Sequence, residues 1–334
     1  MFNGDAVGID ISTFAAQESN GMKKIPCLRQ CWIFFLLVVC GNATFPNRLG
    51  ASPLYTTGFE VAEGYDTNFA LAGQAGWLFE GSGGNGLVDG AFPGMGQQGY
   101  VGKFAPSPGY DYLFVWQPFN FDPATVGASV IKFSTEMSIM PATTGEADEF
   151  AWIAFNSQFQ PLFIINFENY YQDIYFKTNG GAYEYSQLTY TNGIIYTLSI
   201  TMDFGANLWS ASLDNRLIAT NRPLAGAGLT LDLADMDAAW LIYDVNQPCD
   251  NYMIFDNYKF TPLPDLTLLN RAANGQVTLR AVGREGWKLA IEASTNLTQW
   301  TSLKTNPVAG GSFDYVDTGA ATLPRRFYRA RIVP

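Results

Sequence analysis

Three stretches of this chain, SVIKFSTEMSIM, PLFIINFEN and QDIYFKTN, alternate apolar and polar residues with period two. The alternation sets Glu136, Asn166, Glu168, Asp173, Tyr175 and Lys177 apart from apolar faces built of Ile131, Phe133, Met137, Ile139, Phe163, Ile165, Phe167, Ile174 and Phe176. If these strands are neighbours in one sheet, their polar faces, with Trp152 and Asn156, gather what a sugar groove requires. A flat ring such as Trp152 or Tyr175 can cover the apolar face of a pyranose, while amides and carboxylates satisfy its hydroxyls. The same residues also suit the plain solvated face of a half-buried sheet. Trp116 and Trp209 are expected in the core. Were the groove catalytic, Glu136 and Glu168 would be the carboxylates to flank a glycosidic bond, which requires a separation of about 5.5 Å or about 6.5–9.5 Å.

The chain has no histidine. That excludes Ser-His-Asp and Cys-His catalysis and histidine-ligated zinc, copper and iron sites. An enzyme here works with carboxylates, tyrosine or lysine, and a metal would be a hard, oxygen-liganded ion such as calcium. Asp66, Asp250, Asn251 and Asp256 fall near the two ends of the large domain and suit either that ion or turns. The run Glu146-Ala147-Asp148-Glu149 follows Thr143-Thr144-Gly145 and reads as a loop. No GxxxxGK[ST] phosphate loop is present.

The elements that must position these residues are strands. Helical periodicity is almost absent after residue 51, so the chain reads as all-β, with further strands at 195–204, 208–218, 238–245 and 252–260 and two packed sheets. The glycine-rich stretch GWLFEGSGGNGLVDGAFPGMGQQGYVG suits short strands at a sheet edge. From Ser52 to Pro264 there are 22 acidic and 6 basic residues, net −16; from Asp265 onward there are 5 acidic and 9 basic, net +4. That change of sign places a boundary at 264/265, with a large domain over 52–264 and a small one over 265–334. An acidic body repels nucleic acid and anionic polysaccharide at long range, and neutral glycans or calcium suit it better.

Ahead of the strands, Lys23, Lys24 and Arg29 precede an apolar run from Cys31 to Gly41, far short of the roughly 20 residues that cross a bilayer. Residues 22–51 therefore read as a secretory signal peptide and short linker, with cleavage after Ala43 or Ala51, and residues 1–21 as lying before the true start at Met22. A lipoprotein reading would acylate Cys40, though Val39 is larger than the residue usual before such a cysteine. Cleavage leaves Cys249 as the only cysteine, expected in the core, and no internal disulfide.

The segments GFEVAEGYDTNFALAGQAGW, GQQGYVG and NYMIFDNYKFTPLP resemble the first and last strands of concanavalin A-like, laminin-G-like jelly rolls of secreted bacterial proteins. The resemblance implies a β-sandwich with a concave sheet, often used to hold carbohydrate and often carrying calcium on its rim. EASTNLTQWTSL and RRFYRARI are similar to a fibronectin-III-like module, a small β-sandwich that serves as spacer or surface-associated unit, with Trp287 and Trp300 expected in its core. YYQDIYFKTNGGAYEYSQ resembles a strand of jelly-roll alginate lyases and would give Lys177 and Tyr183 to an anionic substrate, but those enzymes also use histidine. The ExDxxE strand of jelly-roll glucanases is missing. The reading that results is an exported, lectin-like or adhesive protein whose partner is a polysaccharide or surface glycan, with a histidine-free hydrolase or lyase as the alternative.

Overall fold

The structure, a computed structural model, describes residues 54–126, 128–144, 148–247, 249–283, 286–323 and 325–333. These fall within one unit, Leu49–Pro334. The expected leader, its cleavage sites, Cys40 and Glu146 lie outside them. Among the described residues no helix is long and apolar enough to cross a membrane.

The chain is all-β. In order come β1 (Tyr55–Thr57), β2 (Leu78–Gly81), β3 (Asn85–Asp89), β4 (Gln97–Gly102), β5 (Tyr112–Trp116), β6 (Val130–Met140) and β7 (Glu149–Phe155). Next are β8 (Pro161–Phe167), β9 (Asp173–Thr178), β10 (Glu184–Thr189), β11 (Tyr196–Asp203), β12 (Leu208–Leu213), β13 (Arg216–Pro223), β14 (Asp235–Leu241) and β15 (Tyr252–Leu263). Last come β16 (Asp265–Arg271), β17 (Val277–Val282), β18 (Lys288–Ser294), β19 (Thr301–Pro307), β20 (Ser312–Asp317) and β21 (Phe327–Val333).

Two antiparallel sheets make the large sandwich. One runs β13-β12-β11-β6-β15-β4-β3, with β1 added on β15; the other runs β10-β9-β8-β7-β14-β5-β2. The inward half of each alternating strand fills the space between them. Phe163 stacks on Trp209 at 4.1 Å between centroids, and Trp152 packs against Phe133 and Phe255 at 5.3 and 5.5 Å. Trp77 is wholly buried and donates its indole N–H to Tyr65 Oη at 2.9 Å. The glycine-rich stretch becomes β2, β3 and β4, and β2 and β3 are edge strands, as its composition implies. At Gly81, φ is 95° and a Cβ would stand 2.1 Å from the Tyr112 carbonyl, so only glycine lets β2 end against β5.

Several expected boundaries move. The stretch 208–218 is a hairpin turning at Asp214 and Asn215, both with positive φ. The strand expected over 238–245 begins at Asp235 instead, because Met236 and Ala238 supply an inward face while two aspartates take the outward positions. Glu149 opens β7 rather than sitting in a loop.

After Pro264 the strands form two three-stranded sheets, β16-β17-β20 and β19-β18-β21, around their own cluster of Val277, Leu279, Ala281, Leu289, Ile291, Val308 and Ala320. Trp287 packs against this cluster. Trp300 does not fill it: its ring lies 4.3 Å from the Arg329 guanidinium, and Arg329 and Arg331 both bind the buried Glu292. Because the two apolar clusters share no residue, a chain ended after Leu263 is expected to unfold cooperatively on its own, and limited proteolysis of the full chain to cut near Pro264. Failure of the shortened chain to fold would place the boundary elsewhere.

Candidate functional site

The seven-stranded sheet has an outer face whose residues alternate with the core. On β5 it carries Tyr112, Phe114 and Trp116, since Leu113 and Val115 are the inward pair; Trp116 is therefore not a core residue. On β14 it carries Asp235, Asp237, Ala239 and Leu241, and on β7 Glu149, Ala151, Ile153 and Phe155. On β8 and β9 it carries Ile164, Asn166, Asp173, Tyr175 and Lys177. The register sets these in rows: Ala151 opposite Asn166, Asn166 opposite Tyr175, and Tyr175 opposite Tyr185 of β10.

Five of the eight expected sugar-binding residues thus come together. Asn166, Tyr175 and Lys177 share the face of β8 and β9, with Asp173 and Glu168 at one end of it, and Glu168 follows directly on β8. Asn166 is 5% exposed. Its Nδ2 donates to Glu149 Oε2 at 2.7 Å, while its Oδ1 is buried with no partner. Tyr185 donates its hydroxyl to Asp173 Oδ1 at 3.1 Å and packs on Tyr175 with 5.3 Å between centroids. The Glu168 carboxylate accepts the backbone N–H groups of Tyr170 and Tyr171 at 2.7 and 2.8 Å, fixing a loop whose two tyrosines are exposed. Lys177 Nζ lies 5.2 Å from the Tyr183 ring centroid.

The other three residues are placed differently. Trp152 is wholly buried, because β7 enters with Phe150, Trp152 and Ala154 facing inward. Asn156 is also buried, and its Oδ1 accepts the N–H groups of Gln158 and Gln160 in the turn from β7 to β8. Glu136 lies on β6, in the other sheet, on the side opposite buried Met137, so Glu136 and Glu168 sit on opposite sheets and cannot flank one bond.

The residues assigned to calcium do not converge. Asp66 accepts from the backbone and side chain of Asn68, and Asp250 from Thr143 and Thr144. Asn251 donates to the Asp148 carbonyl, and Asp256 is held by Gln98 and Asn257. Among the described residues no three histidine, cysteine, aspartate or glutamate side chains gather as metal ligands. Cys249 is buried, as expected.

The electrostatics of the outer face single out carboxyls that the sequence reading passed over. Burial pushes the Glu149 carboxyl up to about 7; the nearby Glu168 and Asp148 charges push the same way, against the Asn166 hydrogen bond. Asp235 and Asp237, 5% and 4% exposed, each have an Oδ1 without a partner. Burial raises Asp235 to about 7, and it raises Asp237 well above the usual carboxylate range, where Asp235 adds like-charge repulsion. Period two could have placed Asp235 and Asp237 on one face. The sequence reading instead began this strand at Ala238.

At the open edge between β10 and β13 lies a shallow cleft of about 280 Å³, lined by Phe176, Tyr185, Ser186, Gln187, Thr220 and Arg222 among others.

No protein-family model matches the chain, and no curated protein matches it. Solved structures do. A sialidase is similar at 11% identity over 56% of this chain, with a TM-score of 0.41, and the match spans only 17% of that protein's length. A Bacillus subtilis protein with a galectin-like fold is similar at 10% identity over 64% of this chain and 97% of its own, TM-score 0.42. A carbohydrate-binding module from Bacillus subtilis is similar at 13% identity over 58% and 99%, TM-score 0.33. At these identities and scores no residue role is carried across, and the chain's all-β sandwich fold rests on its own two sheets.

Proposed function

We propose that this chain is an exported, glycan-binding β-sandwich protein that holds a neutral polysaccharide on the outer face of the seven-stranded sheet, along β8, β9 and β10. The observation that carries the reading is the tilted pair of Tyr175 and Tyr185 rings beside the Asp173 carboxylate, with the exposed Tyr170 and Tyr171 in the adjoining loop. A sugar hydroxyl donates to a carboxylate such as Asp173, and the rings offer an apolar platform to the pyranose. The net −16 of residues 52–264 supports a neutral rather than an anionic glycan. Export is supported by the basic and apolar pattern of residues 22–51, and the strands after Pro264 are proposed to act as a spacer or surface-associated unit.

Calorimetric titration against a panel of neutral and anionic polysaccharides, with and without calcium, tests this. Tyr185→Ala is expected to weaken binding by roughly 2- to 13-fold, the equivalent of about 0.5–1.5 kcal/mol for an aromatic contact, with little change in melting because the ring is 46% exposed. Absence of binding to every member of the panel would favour a purely adhesive or structural surface protein.

A further inference from the structure

We propose that the small sandwich after Pro264 anchors the protein to an anionic cell-surface polysaccharide, held on the outer face of the β19-β18-β21 sheet by Arg329, Arg331 and Lys288. This deepens the surface-associated role proposed above for those strands, and it is independent of the neutral-glycan reading of the large sandwich.

The net +4 from Asp265 onward is unevenly spread. Strands β16, β17 and β20 carry Arg271 and Arg280 against Asp265, Asp314 and Asp317, whereas β18, β19 and β21 carry Lys288, Lys304, Arg329 and Arg331 against Glu292 alone. One sheet is basic and the other is not. Period two gathers most of that charge on one side. Leu289, Ile291, Tyr328 and Ile332 pack in the small core, so Lys288, Ala290 and Glu292 of β18 and Arg329 and Arg331 of β21 face outward. The register sets Glu292 opposite Arg329 and Ala290 opposite Arg331.

Glu292, 5% exposed, holds both arginines in place. Arg329 Nε donates to Oε2 at 2.8 Å and its Nη2 lies 2.7 Å from the same oxygen; Arg331 donates from Nε and Nη2 to Oε1 at 3.1 and 3.0 Å. Burial opposes the Glu292 charge, but the arginine hydrogen bonds outweigh it and hold the carboxyl below its usual range. Each guanidinium turns its Nε–Nη2 edge to Glu292 and keeps Nη1 for another acceptor, with the two side chains 45% and 50% exposed. Trp300 fixes the plane of Arg329 from 4.3 Å, and its own indole N–H is tied to the Leu297 carbonyl at 3.0 Å.

Two cations here share one carboxylate. One positive charge is left over, and Lys288 adds a second. On the other sheet Arg280 is matched one to one, donating from Nε and Nη2 to Asp314 at 2.7 and 2.8 Å. Forks fixed in advance lose little freedom when they take a carboxylate or sulfate. Two excess charges beside a large domain of net −16 suit a sparse polyanion, one charge per sugar ring. Duplex nucleic acid, with a charge every 1.7 Å or so, meets far more repulsion from that domain.

The test titrates the full chain with polygalacturonate and dextran sulfate, which separate carboxylate from sulfate recognition, and in parallel with unsubstituted dextran, anionic phospholipid vesicles and a single-stranded polynucleotide. Binding to at least one of the two anionic polysaccharides and none to dextran is expected, weakening about tenfold between about 50 and about 200 mM salt. Arg331→Gln and Lys288→Gln should each weaken it about 3- to 10-fold and lower the salt slope by about one. Lys288→Gln should leave the melting temperature unchanged. Arg280→Gln removes the same charge from the other sheet and should stay within about twofold of the parent. An equal loss in Arg280→Gln, or tighter binding to vesicles or polynucleotide than to both anionic polysaccharides, overturns the proposal; binding to vesicles alone keeps the surface-associated role with a different partner. Binding to none of the anionic probes overturns both and leaves these strands a spacer.

Discussion

Replacing Trp152 with alanine is expected to lower the folding stability of this protein by about 3–5 kcal/mol. The ring is wholly buried among Phe133, Phe255 and Tyr258, and its indole N–H lies 3.3 Å from Met137 Sδ. Its loss removes apolar burial and leaves a void that two sheets held by continuous ladders cannot close. Domains of this kind are stable by about 5–15 kcal/mol, so the loss is a large share of the total. Glycan affinity, read on the fraction that remains folded, should stay near that of the parent. Urea denaturation is the measurement. A loss below about 1 kcal/mol, with affinity reduced, would return Trp152 to the binding face.

Stability should also fall as the solution turns from mildly acid to alkaline, the reverse of many acidic proteins. Asp235, Asp237, Glu149 and Asp256 all hold their protons more tightly in the folded chain than a free carboxyl does, with Asp235 and Glu149 raised to about 7 and Asp256 to about 6. Below about pH 4 these groups are protonated whether the chain is folded or not. As pH rises from about 4 to 7 the unfolded chain releases their protons first, so folding loses free energy over that window. For the Asp235–Asp237 pair, burial and like-charge repulsion both oppose ionisation in the folded chain, so the pair contributes a substantial share of that loss. Asp250 works the other way: Thr143 and Thr144 hold its carboxylate below the usual range, a stabilisation lost as pH falls through that lowered pKa. Thermal melts are therefore expected to be highest near pH 4 and to decline towards pH 8. Asp237→Asn should flatten much of the decline and raise the melting temperature at pH 8. A melting temperature that rises steadily from pH 5 to 8 would contradict the burial of these carboxyls.

These two expectations mark where the sequence was legible. Alternation in SVIKFSTEMSIM and PLFIINFEN gave β6 and β8 and the inward face of each, because a strand with one buried side repeats every second residue. It could not say that β6 and β8 belong to different sheets, since β6 pairs with β11 and β15, both far along the chain. Glu136 and Glu168 were joined for that reason. In β7 the side chains are buried on both faces from Phe150 to Ala154, so no alternation told Trp152 from an outward residue. Glu149 and Asp235 were missed through polarity: carboxyls at strand starts carry the composition of turns, and burial, which makes them distinctive, is a property of the assembled sheet. Asn166, Glu168, Asp173, Tyr175 and Lys177 were legible together because β8 and β9 form a local hairpin.

Amide hydrogen exchange, measured on the full chain with and without a saturating amount of the polysaccharide it binds most tightly, tests the location of the site most directly. The account predicts added protection in the loop over Glu168–Gln172 and along β9 and β10, from Asp173 to Thr189, with the outer face of β6 and β11 unchanged. Protection concentrated on β6, β11 and β15 instead, with residues 168–189 exchanging as in the free protein, would place the glycan on the other sheet and contradict it.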